Sequence, residues 1–320
     1  MTPWQFGRRA LQALLAAFMI IIVAFVLVHL APGDAVLAIA GEHGDAAYYA
    51  FMRARFGLDA PLPEQLLTYL VRVLQGDFGQ SYVHGRAVAA IIAERIPATL
   101  LLTGSALLLS VGGGIPLGVA AARRSGRRGD AAITIGALAL HASPAFWVAQ
   151  LTIVAFAFRL GWFPVQGMET AGGVHGLGAV GDVLRHLALP ALVLASQQLA
   201  AIVRLTRSGL IIELWSDHVR TARAKGLSDR VVTWRHALPR ALLPVATIVG
   251  ARAGHLLAGA VIVEAVFGWP GLGRLLLDAL QSRDTPILLG LFFVVSLAVI
   301  VSNILTDVAH AAMDPRVANR

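Results

Sequence analysis

The chain has 320 residues, 57% of them hydrophobic and only 14% charged, with a net charge of +8. A soluble domain is usually about 25% charged, so the composition excludes an ordinary water-soluble globule and points to a polytopic membrane protein. The chain has no cysteine, which excludes disulfides, thiolate metal sites and cysteine nucleophiles.

Residues 10–30, "ALQALLAAFMIIIVAFVLVHL", form the first uncharged run, behind Arg8 and Arg9. It exceeds the about 7–15 residues of a signal-peptide core. We therefore expect a retained anchor, despite the cleavage-like "AIA" at 38–40. The long segment 31–95 follows. Within it "PEQLLTYLVRVLQG" at 63–76 sets Leu66, Leu70, Val73 and Leu74 at helical spacing. That pattern predicts a short amphipathic helix, packed on the bundle or lying at the membrane interface. "DFG" at 77–79 lacks the other kinase motifs and reads as a turn.

Further apolar runs cover 96–122, 131–158 (broken by Ser143–Pro144), 186–203, 241–263 and 286–306. The run at 186–203 carries Pro190, Gln197 and Gln198, and Arg252 lies inside the next one, with Glu264 just beyond it. Each run can cross a hydrocarbon core of about 30 Å as a helix. The expected fold is all-α and integral to the membrane. Six transmembrane helices form one domain over 1–320, with both termini on one side.

Basic residues choose that side. The 123–130 loop "RRSGRRGD" holds four arginines, and 204–240 holds seven arginines and Lys225. Segment 31–95 has five arginines against seven acids. Positive-inside weighting places both termini and the loops 123–130 and 204–240 in the cytoplasm, with 31–95 extracytoplasmic. Much of the surplus charge is thereby explained without nucleic acid.

The segment 217–239, "DHVRTARAKGLSDRVVTWRHALP", is a polar island between two greasy runs. Ser216 suits an N-cap for a helix over 217–225, and Gly226 suits its C′ position. Ser228 suits the cap of a second helix over 229–238, which Pro239 should close. Ala222 and Gly226 make a small-xxx-small pair that permits close approach of another backbone. Arg220, Arg223, Lys225 and Arg230 surround them. From the residues alone, a solvated basic loop and a docking element are equally good readings.

Ala222, three residues, Gly226, nine residues, His236, then Leu238 and Pro239: this spacing resembles the cytoplasmic docking motif of ABC importer permeases. The wider "VRTARAKGL…RHALPRALLP" is similar to the dipeptide, oligopeptide and nickel branch. Arg220, Thr221 and His236 depart from the commoner motif, which has Glu, Ala and Ile at those positions. The likeness runs along the chain through "HLAPGD" (29–34), "FGLDAPL" (56–62), "GDFGQS" (76–81), "PATLLL" (97–102), "IPLGVAAARR" (115–124) and "GWFPVQG" (161–167). It continues through "LAGAVIVEAVFGWPGLGRL" (257–275), "SRDTPI" (282–287) and "DPR" (314–316).

The resemblance implies a type I importer permease fold in a bacterial inner membrane. It also implies a coupling helix comprising Arg220, Thr221, Ala222, Arg223, Lys225, Gly226, Leu238 and Pro239, seated in a groove of an ATPase. The only lysine, Lys225, lies between Ala224 and Gly226, so no Walker A loop exists in the sequence. ATP and magnesium would belong to partner chains, and no cofactor is expected in this one. The implied partners are two ATP-binding subunits, a second and related permease chain, and an extracytoplasmic solute-binding protein. Segment 31–95 is a candidate contact for the last. Intramembrane charges are functional by default, so we take Arg252, Gly259, Glu264, Ser143 and Pro144 as candidates for the pathway or its gate. The alternative reading of Arg252 is a buried tie to a carbonyl or carboxylate on a neighbouring helix. His141 is expected to be packed and hydrogen-bonded.

The resulting function is a permease for di- or oligopeptides, with a nickel importer as the alternative. The ten histidines include no i, i+4 pair suited to a metal. A secondary transporter is the alternative of another class, but it needs midplane carboxylates and usually an internal repeat. The six runs contain no Asp or Glu.

Overall fold

The computed structural model describes residues 3–30, 45–56, 59–173 and 176–313. "HLAPGD" lies mostly outside them, as does "DPR", and "FGLDAPL" lies partly outside. The architecture is helical, with a single two-residue bridge between Gln80 and Ala87 among the described residues. In chain order the helices are α1 (Pro3–Leu30), α2 (Ala46–Phe56), α3 (Leu62–Leu74), α4 (Val88–Arg123), α5 (Arg128–Ala142) and α6 (Ala145–Thr152). Then come α7 (Leu177–Leu214), α8 (Asp217–Ala224), α9 (Asp229–Val231), α10 (Leu238–Ala241), α11 (Leu243–Val266), α12 (Leu272–Ser282) and α13 (Thr285–Met313). Every apolar run read from the sequence falls on helix.

Among the described residues, Val88–Arg123, Gly178–Leu214 and Thr285–Ile304 are long and apolar enough to cross a bilayer. The Ser143–Pro144 break does more than interrupt its run. It separates α5 from α6, and the axes on either side differ by 103°. Pro144 lacks an N–H and biases the residue before it away from helix. Ser143 is extended accordingly (φ −77°, ψ 134°), and its hydroxyl donates to the Ala139 carbonyl at 2.8 Å. Past α6 the backbone widens into a π-helical turn over Ile153–Arg159.

Pro190 lies inside α7 without ending it, and the helix runs for 38 residues. At 1.5 Å per residue that is about 57 Å, nearly twice the thickness of a hydrocarbon core. The segment expected to begin as a loop at 204 is therefore helical as far as Leu214.

The chain divides into two compact units, 1–99 with 270–300, and 100–269 with 301–320. In the first, Val88, Ile91 and Ile92 of α4 pack with Leu272, Leu275 and Ala279 of α12 and with Ile287, Leu288 and Leu291 of α13. The Leu272 N–H donates to the buried Thr99 hydroxyl at 2.8 Å, which pins the start of α12 to α4. Asp284, 1% exposed, opens α13 and gathers the "GDFGQS" loop to it. It accepts from the Ser81 hydroxyl at 2.5 Å and from the Tyr82 and Val83 N–H groups at 3.2 Å. Burial, aided by Asp284, pushes the Tyr82 hydroxyl up to about 12. "DFG" is a turn, as expected, with Asp77 Oδ1 accepting from the Gly79 N–H at 2.8 Å.

In the second unit α5, α6 and α11 pack against α7. Gly114 and Gly118 lie one turn apart on α4, where an added Cβ would come within 2.7 Å of Ile202 and 2.6 Å of Thr206 on α7. That is a small-xxx-small seam between two candidate spans.

Candidate coupling surface and pathway residues

The island begins where α7 ends. Ser216 and Ser228 occupy the N-cap positions of α8 and α9, but neither hydroxyl caps its helix. The Ser216 hydroxyl instead donates back to the Glu213 carbonyl at 2.5 Å. The far end of α8 matches its expectation. Gly226 has φ +77°, its N–H donates to Arg223 O at 2.9 Å, and the Leu227 N–H reaches Ala222 O at 3.4 Å. These two bonds form a Schellman closure.

Pro239 does not close the second helix. After Val231 the backbone makes a π-helical turn over Val232–Ala237 and passes directly into α10. Pro239 falls in the first turn of α10, where a missing N–H leaves no intrahelical bond unmade.

Val219 and Ala222 of α8 face inward. They join Val232, Ala237, Leu238 and Ala241 in one core with Val119 and Ala122 of α4 and Leu210 of α7. Two of the expected docking residues, Ala222 and Leu238, are thus 5% exposed. The close approach that the small side chain of Ala222 permits is to its own chain. Gly226 stands in open space, with no atom within 4 Å of an added Cβ. Its requirement is the left-handed backbone, not a tight contact.

Arg220, Thr221, Arg223, Lys225, Gly226, Arg230 and Pro239 are exposed. Arg220 meets Asp217 at 3.3 Å and Arg223 meets Asp229 at 3.7 Å. Such solvent-exposed pairs contribute at most about 1 kcal/mol, so a partner carboxylate can displace them. Between the cations Leu227, Val231 and Trp234 are also exposed. Sequence reading did not single out these three residues, although their i, i+4, i+7 spacing is the one an α-helix places on a single face.

His218 sits where the two halves of the island meet. Arg240 approaches its Nδ1 at 3.1 Å, and Nε2 faces Glu213 at 3.6 Å and the His236 carbonyl at 3.4 Å. The Ser216 hydroxyl lies closer still to Nδ1, at 2.9 Å.

A second tie was also missed. Arg207 on α7 binds Asp130 in bidentate fashion at 2.6 and 2.7 Å, and the Gly126 N–H adds a third bond at 3.1 Å. The pair fastens the "RRSGRRGD" loop to α7 one turn before Leu210. It spans 77 residues of sequence, so no local pattern announces it.

The pathway candidates lie on α11 and at the break between α5 and α6. Glu264 is fully buried near the end of α11 beside Val263, and its carbonyl accepts from the Trp269 N–H at 2.8 Å. The Gly167 N–H donates to Phe267 O at 2.9 Å, which brings "GWFPVQG" to the end of α11. Arg252 and Gly259 lie on α11, but their side chains are outside the described residues. Ser143 and Pro144 form the sharp break described above. His141 is hydrogen-bonded as expected, with Nδ1 2.7 Å from Gln197 O, but it is exposed and not packed inside.

Comparison with known proteins settles the family. The description "Binding-protein-dependent transport system inner membrane component" matches residues 114–319, and its N-terminal companion matches 5–103. The chain belongs to this family of ABC importer permeases. A Brucella ovis protein with a provisional peptide-permease name is 41% identical over 299 residues, covering 92% of this chain and 93% of that one. The glutathione transport system permease protein GsiC of Salmonella choleraesuis is 38% identical over 310 residues, 97% of each chain. The oligopeptide transport system permease protein AppB of Bacillus subtilis is 37% identical over 311 residues, 97% of this chain and 98% of that one. A chain of the MetNI methionine ABC transporter, crystallised in inward-facing conformations, shares the fold. Its TM-score is 0.52 at 16% identity, covering 70% of this permease and 96% of that chain.

Proposed function

We propose that the chain is a six-span permease subunit that forms half of a translocation pathway for di- or oligopeptides in a bacterial inner membrane. Both termini and the island 204–240 face the cytoplasm. A separate ATP-binding subunit docks on the island, a second and related permease chain completes the pathway, and an extracytoplasmic binding protein delivers cargo. The names of the Brucella, Salmonella and Bacillus relatives support peptide-like cargo over nickel.

The observation that carries the docking reading is the division of labour on α8. Its inner face is consumed by the core around Leu210, while Arg220, Arg223, Lys225 and Arg230 point out beside Leu227, Val231 and Trp234. A helix held this firmly can move as a rigid body with α7, which an ATP-driven closure requires. Its outward charge and apolar strip suit an acidic-rimmed apolar groove.

The test is ATP-dependent uptake of labelled peptide by the reconstituted complex carrying Gly226→Leu. The position has room for the side chain but not for its backbone, at a cost of about 1–2 kcal/mol. We expect insertion and assembly to persist while ATP hydrolysis continues without uptake. Uptake at the parental rate would remove the coupling role.

A further inference from the structure

Helix α3 divides into three sectors rather than two. Leu66 and Tyr69 pack in a cluster with Ala24, Phe25 and Val28 of α1 and Leu289 and Phe292 of α13, and Val73 is buried. A second apolar row at i, i+4 and i+7 does not pack. Leu67, Val71 and Leu74 are 64%, 47% and 68% exposed. Leu74, which the sequence grouped on one face with Leu66, Leu70 and Val73, belongs to this outer row. The remaining arc carries Glu64, Thr68 and Arg72, all exposed.

The surface that α3 lies on fixes its depth. Thr285–Ile304 is a candidate membrane span, and Leu289 and Phe292 lie four and seven residues into α13. At 1.5 Å per residue they sit about 6–10 Å below its start. Ala24 and Phe25 lie similarly far from the end of α1 at Leu30. An interfacial amphipathic helix buries its apolar face about 5–10 Å into the boundary between headgroups and acyl chains. A bilayer crossed by α13 therefore reaches the outer row of α3.

We propose that Leu67, Val71 and Leu74 contact lipid acyl chains directly. Helix α3 then lies along the membrane boundary, with its inner row on protein, its outer row in lipid and Glu64, Thr68 and Arg72 toward water. The order of the sectors explains why one helix carries two apolar rows and a polar one. A helix at a protein–water boundary needs only one apolar row. The inference rests on the chain being membrane-embedded and is independent of its cargo.

The test uses the absence of cysteine in this chain. Leu67→Cys, Val71→Cys, Leu74→Cys and the polar-arc control Thr68→Cys are each spin-labelled in the complete complex in lipid bilayers. The labelled parental complex serves as the blank for partner cysteines. The labels at 67, 71 and 74 should collide several-fold more with oxygen than with a water-soluble nickel chelate, and the label at 68 should show the reverse. Nickel-chelate access at all four positions would overturn the proposal by showing an outer row in water. Protection from both reagents at 67, 71 and 74 would also overturn it, because a protein partner would then cover the row.

Discussion

The island and the loop around Ser81 are both short irregular segments fastened to long helices, but the main ties differ. The island is held by a distributed apolar core of Val219, Ala222, Val232, Ala237 and Leu238 on Val119 and Leu210. The Ser81 loop has Phe78 on the apolar core, but its polar turn is gathered by one buried carboxylate, Asp284, which accepts from a hydroxyl and two backbone N–H groups. An apolar hold leaves the outward Arg220, Arg223, Lys225 and Arg230 exposed, with ion pairs at Arg220 and Arg223 that are open to solvent. A carboxylate hold concentrates stability in a single residue, so the two regions should fail differently.

The largest effect is expected at Asp284. Replacing it with Ala orphans the Ser81 hydroxyl and two N–H groups at about 1–3 kcal/mol each when buried. We expect a loss of about 3 kcal/mol or more, seen as a lower melting temperature and new protease cleavage within 77–88. Unchanged cleavage would mean that the loop is held by something other than this carboxylate.

Ala222→Trp comes next. It forces a large ring into a filled core, for which overpacking typically costs about 1–3 kcal/mol. The purified complex should melt earlier and lose its ATPase partner, whereas Ala222→Ser should be tolerated. A parental melting curve for the Trp variant would show that the inner face of α8 is not packed.

Asp130→Ala should follow. It leaves Arg207 without its bidentate partner, at a cost of roughly 1–3 kcal/mol. The loss stays below the about 3–5 kcal/mol of a fully buried pair, because the Arg207 side chain is 29% exposed. Restoration by the swapped pair Asp130→Arg with Arg207→Asp, read by thermal melting, would sharpen the assignment to charge pairing.

The smallest effect on stability belongs to Arg220→Ala combined with Arg223→Ala. Exposed positions of this kind change stability by within about 0.5 kcal/mol. The double variant should melt like the parent yet retain less ATPase on purification. A shift in melting as large as that of Ala222→Trp would erase the distinction between a structural inner face and a free outer one.

What the sequence made legible follows the range of the interactions involved. Apolar runs and the Ser216, Gly226 and Ser228 punctuation are local signals, and each lands on an observed helix or helix end. The direction of Ala222 was not legible, because α8 shows small and charged residues on both sides until α4 and α7 are in place. Asp130 with Arg207 and Ser81 with Asp284 are 77 and 203 residues apart, and neither leaves a periodic trace. The π turn at Val232–Ala237 is not legible in the sequence, and it carries the chain past Pro239 into a new helix. On α3 the periodicity revealed apolar residues but could not separate a row that meets protein from one that meets none.

The most direct test of the central claim is photo-crosslinking from position 225 in the native membrane, with mass spectrometry of the captured chain. The account predicts capture of an ATP-binding subunit, because Lys225 is exposed at the end of a helix whose other face is fully occupied. Capture of lipid alone, from a chain that purifies without any ATP-binding partner, would contradict it.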